Sequence, residues 1–187
     1  FADSLQVPYR VARVVTKDLT QQANFLTIDV GESDSIQVGM PVIDERGIVG
    51  KVFLVGSGYS VVMPHQNTQF SVPGTLDALA LDGVVSWDGR SPGRLTMEYV
   101  PKTEPVERGM LVVTSPYSGV FPAGVPIGRV DSAYGAAGRN DFLIELIPAA
   151  PLATVGYVYV LLSIPEPEVE TLLENARDSL VTGAGGG

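Results

Sequence analysis

Up to about residue 163 the chain alternates short apolar runs, rich in Val, Ile, Leu and Thr, with breaks of Gly, Pro, Asp and Ser. That rhythm predicts strands joined by tight turns. Twelve runs fit it, at 9–16, 25–30, 40–44, 48–55, 60–64, 69–72, 78–86, 94–100, 111–115, 127–134, 142–147 and 156–162. Part of the pattern is stated twice. Leu26-Thr27-Ile28-Asp29 leads to Val38-Gly39-Met40-Pro41-Val42-Ile43, and Leu95-Thr96-Met97-Glu98 leads to Arg108-Gly109-Met110-Leu111-Val112-Val113. The Gly-Met pairs lie 70 positions apart (109 − 39), and Gly47-Ile48-Val49-Gly50-Lys51-Val52 is echoed by Gly124-Val125-Pro126-Ile127-Gly128-Arg129-Val130.

A two-copy repeat of this kind predicts two related units. Closure removes exposed strand edges, so the expected fold is all-β, with two tandem small barrels of about six strands each. The expected boundaries are 1–76 for the first barrel, 77–163 for the second and 164–187 for an acidic tail. Gly50 and Gly128 interrupt their runs as barrel corners or bulges do. A weaker third echo, Phe142-Leu143-Ile144-Glu145 followed by Gly156, leaves two choices for the last strand. It closes the second barrel or returns to the first.

After Ile164 the period changes. Val169, Leu172, Leu173, Ala176 and Leu180 fall on one helical face, with Pro165 and Pro167 near its start and four glycines in the last five residues. This predicts a short helical or disordered C-terminal tail, read either as a fraying end or as a segment that docks on a partner.

Charge narrows the function. The net charge is −9, from 21 acids against 12 bases, which opposes sequence-independent nucleic-acid binding. Five of the acids lie in the tail: Glu166, Glu168, Glu170, Glu174 and Asp178. There is no cysteine, hence no disulfide or thiolate chemistry. No apolar stretch approaches the ~18 residues that a membrane span requires. Because the first residue is Phe1, we read the sequence as a fragment or processed form whose targeting segment lies upstream.

Two barrels in tandem raise the question of a chymotrypsin-like protease. The one histidine is His65, and the nearest nucleophile candidate, Ser115, precedes Pro116, which removes a backbone N–H from any oxyanion hole. One His and no Cys offer no metal set, Asp77, Asp82, Asp131 and Asp141 read as turn acids, and Gly56-Ser57-Gly58 reads as a hairpin turn. The expectation is a non-enzymatic chain without metal or cofactor. A carbohydrate- or peptidoglycan-binding module would show exposed aromatics on one strand face; Tyr157 and Tyr159 have that spacing, but their apolar context favours a buried strand. Recognition is carried best by Tyr117-Ser118-Gly119-Val120-Phe121-Pro122-Ala123-Gly124, longer than a hairpin needs. Tyr117, Phe121 and Pro122 are the candidate protein-binding residues, the alternative for Phe121 being a plug in its own barrel. Trp87 is likewise plug or anchor.

The two copies of the repeat, and above all Gly109-Met110-Leu111-Val112-Val113-Thr114-Ser115 followed by Gly119-Val120-Phe121-Pro122-Ala123-Gly124-Val125-Pro126-Ile127-Gly128-Arg129-Val130, resemble the bacterial rod shape-determining MreC family over roughly residues 10–162. The resemblance implies the periplasmic double barrel of a single-pass inner-membrane protein, cut after a dimerising coiled coil. It further implies scaffolding of the cell-elongation machinery, by organising and activating peptidoglycan synthases. Its implied partners are a penicillin-binding transpeptidase, other membrane proteins of that machinery and further copies of itself. Pro116-Tyr117 departs from the glycine and leucine more usual there, and the tail lies outside the shared region.

Overall fold

The computed structural model describes residues 6–20, 22–135, 137–163 and, beyond them, 172, 175 and 176. Twelve strands form in chain order: β1 Tyr9–Asp18, β2 Phe25–Ile28, β3 Pro41–Ile43, β4 Ile48–Val55, β5 Ser60–Pro64, β6 Ser71–Leu76, β7 Leu81–Ser86, β8 Leu95–Pro101, β9 Leu111–Thr114, β10 Pro126–Gly135, β11 Asp141–Pro148 and β12 Tyr157–Leu161. They close into two six-stranded antiparallel barrels, ordered β1-β12-β3-β4-β5-β2 and β10-β11-β8-β7-β6-β9. The all-β, two-barrel expectation is what the structure shows. The expected C-terminal helix falls mostly outside the described residues, of which Leu172, Asn175 and Ala176 are helical.

The boundary expected after residue 76 is corrected by strand pairing. β6 lies between β7 and β9 and belongs to the second barrel. β12 lies between β1 and β3, so the chain returns to close the first. The third echo is therefore not a third repeat. Local sequence could not assign β6, because an apolar strand of six residues satisfies either barrel until its hydrogen-bonding neighbours are known.

Superposing the repeat on the two strand orders pairs β2 with β8, β3 with β9, β4 with β10 and β5 with β11, leaving β1 with β7 and β12 with β6. The last strand thus fills in the first barrel the slot that β6 fills in the second. The repeated residues build the same corner twice. Gly39 and Gly109 both take the left-handed region that glycine adopts freely, at φ 90° and 88°. Their N–H groups donate to Val52 O at 2.8 Å and Val130 O at 2.7 Å, and the N–H of Val52 and of Val130 returns to Met40 O and Met110 O, both at 2.9 Å. Gly50 and Gly128 face the neighbouring strand backbone, where a Cβ would stand 2.1 Å from Met63 O and 2.5 Å from Ile147 O. No larger residue fits either corner without moving a strand.

The offset between copies is 69 at Leu26 and Leu95 (95 − 26) but 70 at the glycines. A β-bulge at Tyr99, with φ 72° and a register shift between β8 and β11, accounts for the extra residue. Asp141 holds it by accepting from the Tyr99 N–H at 3.3 Å, and Arg139 bridges Asp141 and Glu98 at 3.0 and 3.2 Å. Those hydrogen bonds and charges, led by the one from Arg139, hold the Asp141 carboxyl below the usual carboxylate range.

Alternation of side chains fills each barrel. Leu26, Ile28, Val42, Val62, Val158 and Val160 fill the first; Leu76, Val85, Leu95, Met97, Val112, Ile127 and Ile144 fill the second. Each such burial contributes about 1.5–3 kcal/mol before conformational entropy is counted. Ile43, Ile48, Met63 and Leu161 of the first barrel belong to the buried cluster of the second, so the two pack through a shared apolar seam.

Two segments cross that seam, 65–70 outward and 149–156 on return. They are tied together by His65, whose Nε2 stands 2.9 Å from Ala150 O. A carbonyl can only accept, so Nε2 carries the proton; Nδ1 has no hydrogen-bond partner among the described residues. Burial, the largest influence, lowers the His65 pKa to about 4. Asn24 and the outward segment add a second clasp, with Asn24 Nδ2 donating to Gln66 O at 2.6 Å and Asn67 Nδ2 to Asn24 O at 2.8 Å.

Candidate functional site

The connection from β9 to β10 is built around Thr114, whose hydroxyl donates to Pro122 O at 2.5 Å and accepts from the Val125 N–H at 2.9 Å. Within it, Ser118 Oγ donates to Phe121 O at 2.7 Å and accepts from Phe121 N–H at 3.0 Å, and Tyr117 N–H donates to Ser115 Oγ at 3.2 Å. Gly119 and Gly124 supply the two left-handed turns. The loop is therefore held by its own polar groups rather than left loose.

This geometry separates the three candidates. Phe121 is turned inward, 7% exposed, and meets Phe70 edge-on with ring centres 6.4 Å apart. It is a plug at the seam, not a surface anchor, because its ring is worth more in the apolar cluster than in water. Pro122 is half-buried, its carbonyl committed to Thr114. Tyr117 alone stands free at the apex, 80% exposed. Trp87 is also a plug, its Nε1–H donating to Ser91 O at 3.0 Å.

The weighed chemistry does not assemble among the described residues. His65 is committed to Ala150 O at the seam, Ser115 is buried at the end of β9, and no hydrogen bond joins them. No group of three or more His, Asp or Glu is placed to hold a metal ion among the described residues.

The expectation that Tyr157 lies in a buried strand is corrected. β12 buries Val158, Val160 and Leu161, but Tyr157 points out with 67% exposure and Tyr159 packs edge-on against Tyr9. With Val11, Thr154 and the Asp44–Arg46 hairpin they line a groove of about 510 Å³ on the first barrel. Tyr59 and Tyr99 are exposed as well, at 60% and 65%. No local signal marks Tyr59 and Tyr99 as exposed, since a tyrosine in an alternating run fits either face until register is known. A second groove, about 380 Å³, runs between the barrels past Arg46, Arg129 and Ile147.

The family model for the barrel core of the rod shape-determining protein MreC matches residues 14–162. The cell shape-determining protein MreC of Caulobacter vibrioides is 33% identical over 156 residues, covering 83% of this chain and 43% of that protein. The chain spans about half the length of the curated relatives it matches. The crystal structure of MreC from Pseudomonas aeruginosa is 28% identical with a TM-score of 0.77, over 82% of this chain and 99% of that one. A complex between the penicillin-binding protein PBP2 and MreC from Helicobacter pylori shares the fold, with a TM-score of 0.62 at 12% identity, over 83% and 99% of the two chains.

Proposed function

The chain belongs to the MreC family of cell shape-determining proteins, and from that premise we propose that it is a non-enzymatic periplasmic scaffold that organises and activates peptidoglycan synthases. Its proposed partner is a penicillin-binding transpeptidase, with further elongation-machinery membrane proteins beside it. Its proposed place is the periplasmic face of the inner membrane, anchored through a membrane segment and assembled with other copies. The observation that carries the reading is the double barrel itself, the fold that the Helicobacter pylori MreC brings to its complex with PBP2. In a scaffold the protein acts by favouring one conformation of its partner, which requires rigid surface rather than a reactive centre.

The β9–β10 loop suits that task. Its internal hydrogen bonds hold Tyr117 in place before any partner arrives, so little ordering entropy is lost on docking. Tyrosine at a rigid apex is a frequent anchor of protein interfaces. The test is binding of the chain to the non-catalytic region of a penicillin-binding transpeptidase from the same bacterium. Tyr117→Ala should weaken it at least about tenfold, as loss of an anchor does, while the β-sheet circular dichroism stays native. Undiminished binding removes the loop from the interface; no binding by either chain removes the partner.

A further inference from the structure

We infer that the acidic C-terminal tail, residues 164–187, docks in the groove between the two barrels. The groove floor is apolar, with Leu111, Pro126, Ile147 and Pro148, and Ile147 is 43% exposed. Its rims are cationic. Arg46 enters from the first barrel, bonded to Asp44 and to Thr154 Oγ1 at 2.8 Å. Arg129 stands on β10 of the second, and donates to the backbone oxygen of Gly109 at 2.9 Å without a carboxylate partner among the described residues. Two positions along β10, Arg94 and Arg108 share Asp131 at 3.3 and 3.1 Å, and the opposite hairpin carries two acids, Glu45 and the Asp44 that pairs with Arg46. In a chain of net charge −9, this is where guanidinium groups gather beside open apolar surface.

The tail is the complementary surface in the same molecule. It holds five acids against Arg177, and its helical period sets Val169, Leu172, Leu173 and Ala176 on one face. Leu172, Asn175 and Ala176 are helical, with Leu172 60% exposed. The structure thus leaves Leu172, Ala176 and the apolar groove floor uncovered, and the sequence sets acids around the first as the fold sets guanidinium groups around the second.

Reach permits the contact. Arg46 and Thr154 flank the Tyr157 end of β12, and the tail leaves from the Leu161 end, about 13 Å away along a five-residue strand. The eight residues from Ile164 to Thr171, stiffened by Pro165 and Pro167, span about 25 Å when extended. Tethering supplies an effective concentration in the millimolar range, so a contact too weak to form between separate molecules forms within one. Because surface ion pairs are weak and screened, the docking is salt-sensitive.

The absence of cysteine gives a clean test on the full chain: a nitroxide on Ser179→Cys and paramagnetic broadening of backbone amide signals. Broadening is expected at Leu111, Arg129 and Ile147, lost in about 0.5 M salt, where charges are screened beyond a few Å. It is lost also in Arg129→Glu and Leu172→Ser, and kept in Arg13→Glu, the same charge reversal on the first barrel away from the groove. In a mixture of isotope-labelled chain without nitroxide and unlabelled chain carrying it, the signals stay sharp. Broadening that is absent, spread evenly over the barrels or indifferent to Arg129→Glu overturns the assignment. Broadening in the mixture overturns it too, because the groove is then filled by a second copy's tail.

Discussion

The two barrels share their corners but not their openings, and the difference separates what holds each barrel from what it can offer. Gly39 with Met40 and Gly109 with Met110 make the same turn and the same hydrogen bonds. At the next equivalent connection the first barrel has the Asp44–Gly47 hairpin, where Asp44 accepts from the backbone N–H of Arg46 and Gly47 at 2.8 and 3.1 Å. The second has the eleven-residue loop that carries Tyr117, from Ser115 to Val125. Similarly His65, the proton-sensitive clasp of the seam, stands where the second barrel has Ala149. Repetition was kept where strand geometry is unforgiving, and lost where a loop faces solvent or the partner barrel.

The comparison breaks most sharply at the repeated glycines. Gly50→Ala and Gly128→Ala each drive a Cβ into strand backbone, and each should cost about 3 kcal/mol or more. Denaturant unfolding checks this; a loss at one position alone would show that the two corners are not equivalent.

Next are Val160→Ala and Leu76→Ala, which empty the same slot of the two barrels. The expected losses are about 1–3 and about 2–5 kcal/mol. Hydrogen exchange should show β1–β5 opening for Val160→Ala and β7–β11 for Leu76→Ala, although residue 160 follows the whole second barrel in sequence. Phe121→Ala should cost about 3–5 kcal/mol, whereas Tyr117→Ala should stay within about 0.5 kcal/mol, which separates plug from apex by thermal or chemical denaturation.

The histidine gives the pH dependence. Its folded pKa of about 4 lies below the ordinary histidine value of 6.5, so between these values the unfolded chain binds the proton that the folded one refuses. Stability is complete above pH ~6.5 and falls as pH drops towards 4, by about 3 kcal/mol in total for this group. Carboxylates titrate in the same range, so the reading is the difference in slope between the parent chain and His65→Gln. Equal slopes would remove His65 as the source. A small gain is expected at Tyr99. Tyr99→Gly relieves a left-handed side-chain residue at an exposed bulge and should stabilise by about 1 kcal/mol or less, with no counterpart in the first barrel.

Much of this was legible beforehand because barrel strands alternate and the corner glycines repeat. Leu26, Val42, Leu95, Met97 and Val112 lie in the repeated apolar runs, and they are buried. The candidate loop was legible as a place but not as a set of orientations. Nothing local distinguishes Tyr117, which faces water, from Phe121, which meets Phe70 from another part of the chain. The outward turn of Tyr157 was hidden for a related reason, since register with β1 decides which face a strand residue occupies.

By itself the sequence determined strand content, the doubled corner, the absence of thiol chemistry and the family, because these depend on local periodicity, composition and contiguous motif. Only the tertiary structure decided that β6 opens the second barrel and β12 completes the first. Only it decided that His65 clasps the two crossing segments, and that Arg46 and Arg129 face each other across a groove. Those facts join residues tens of positions apart, and long-range pairing is chosen by closure of a whole sheet rather than by any stretch within it.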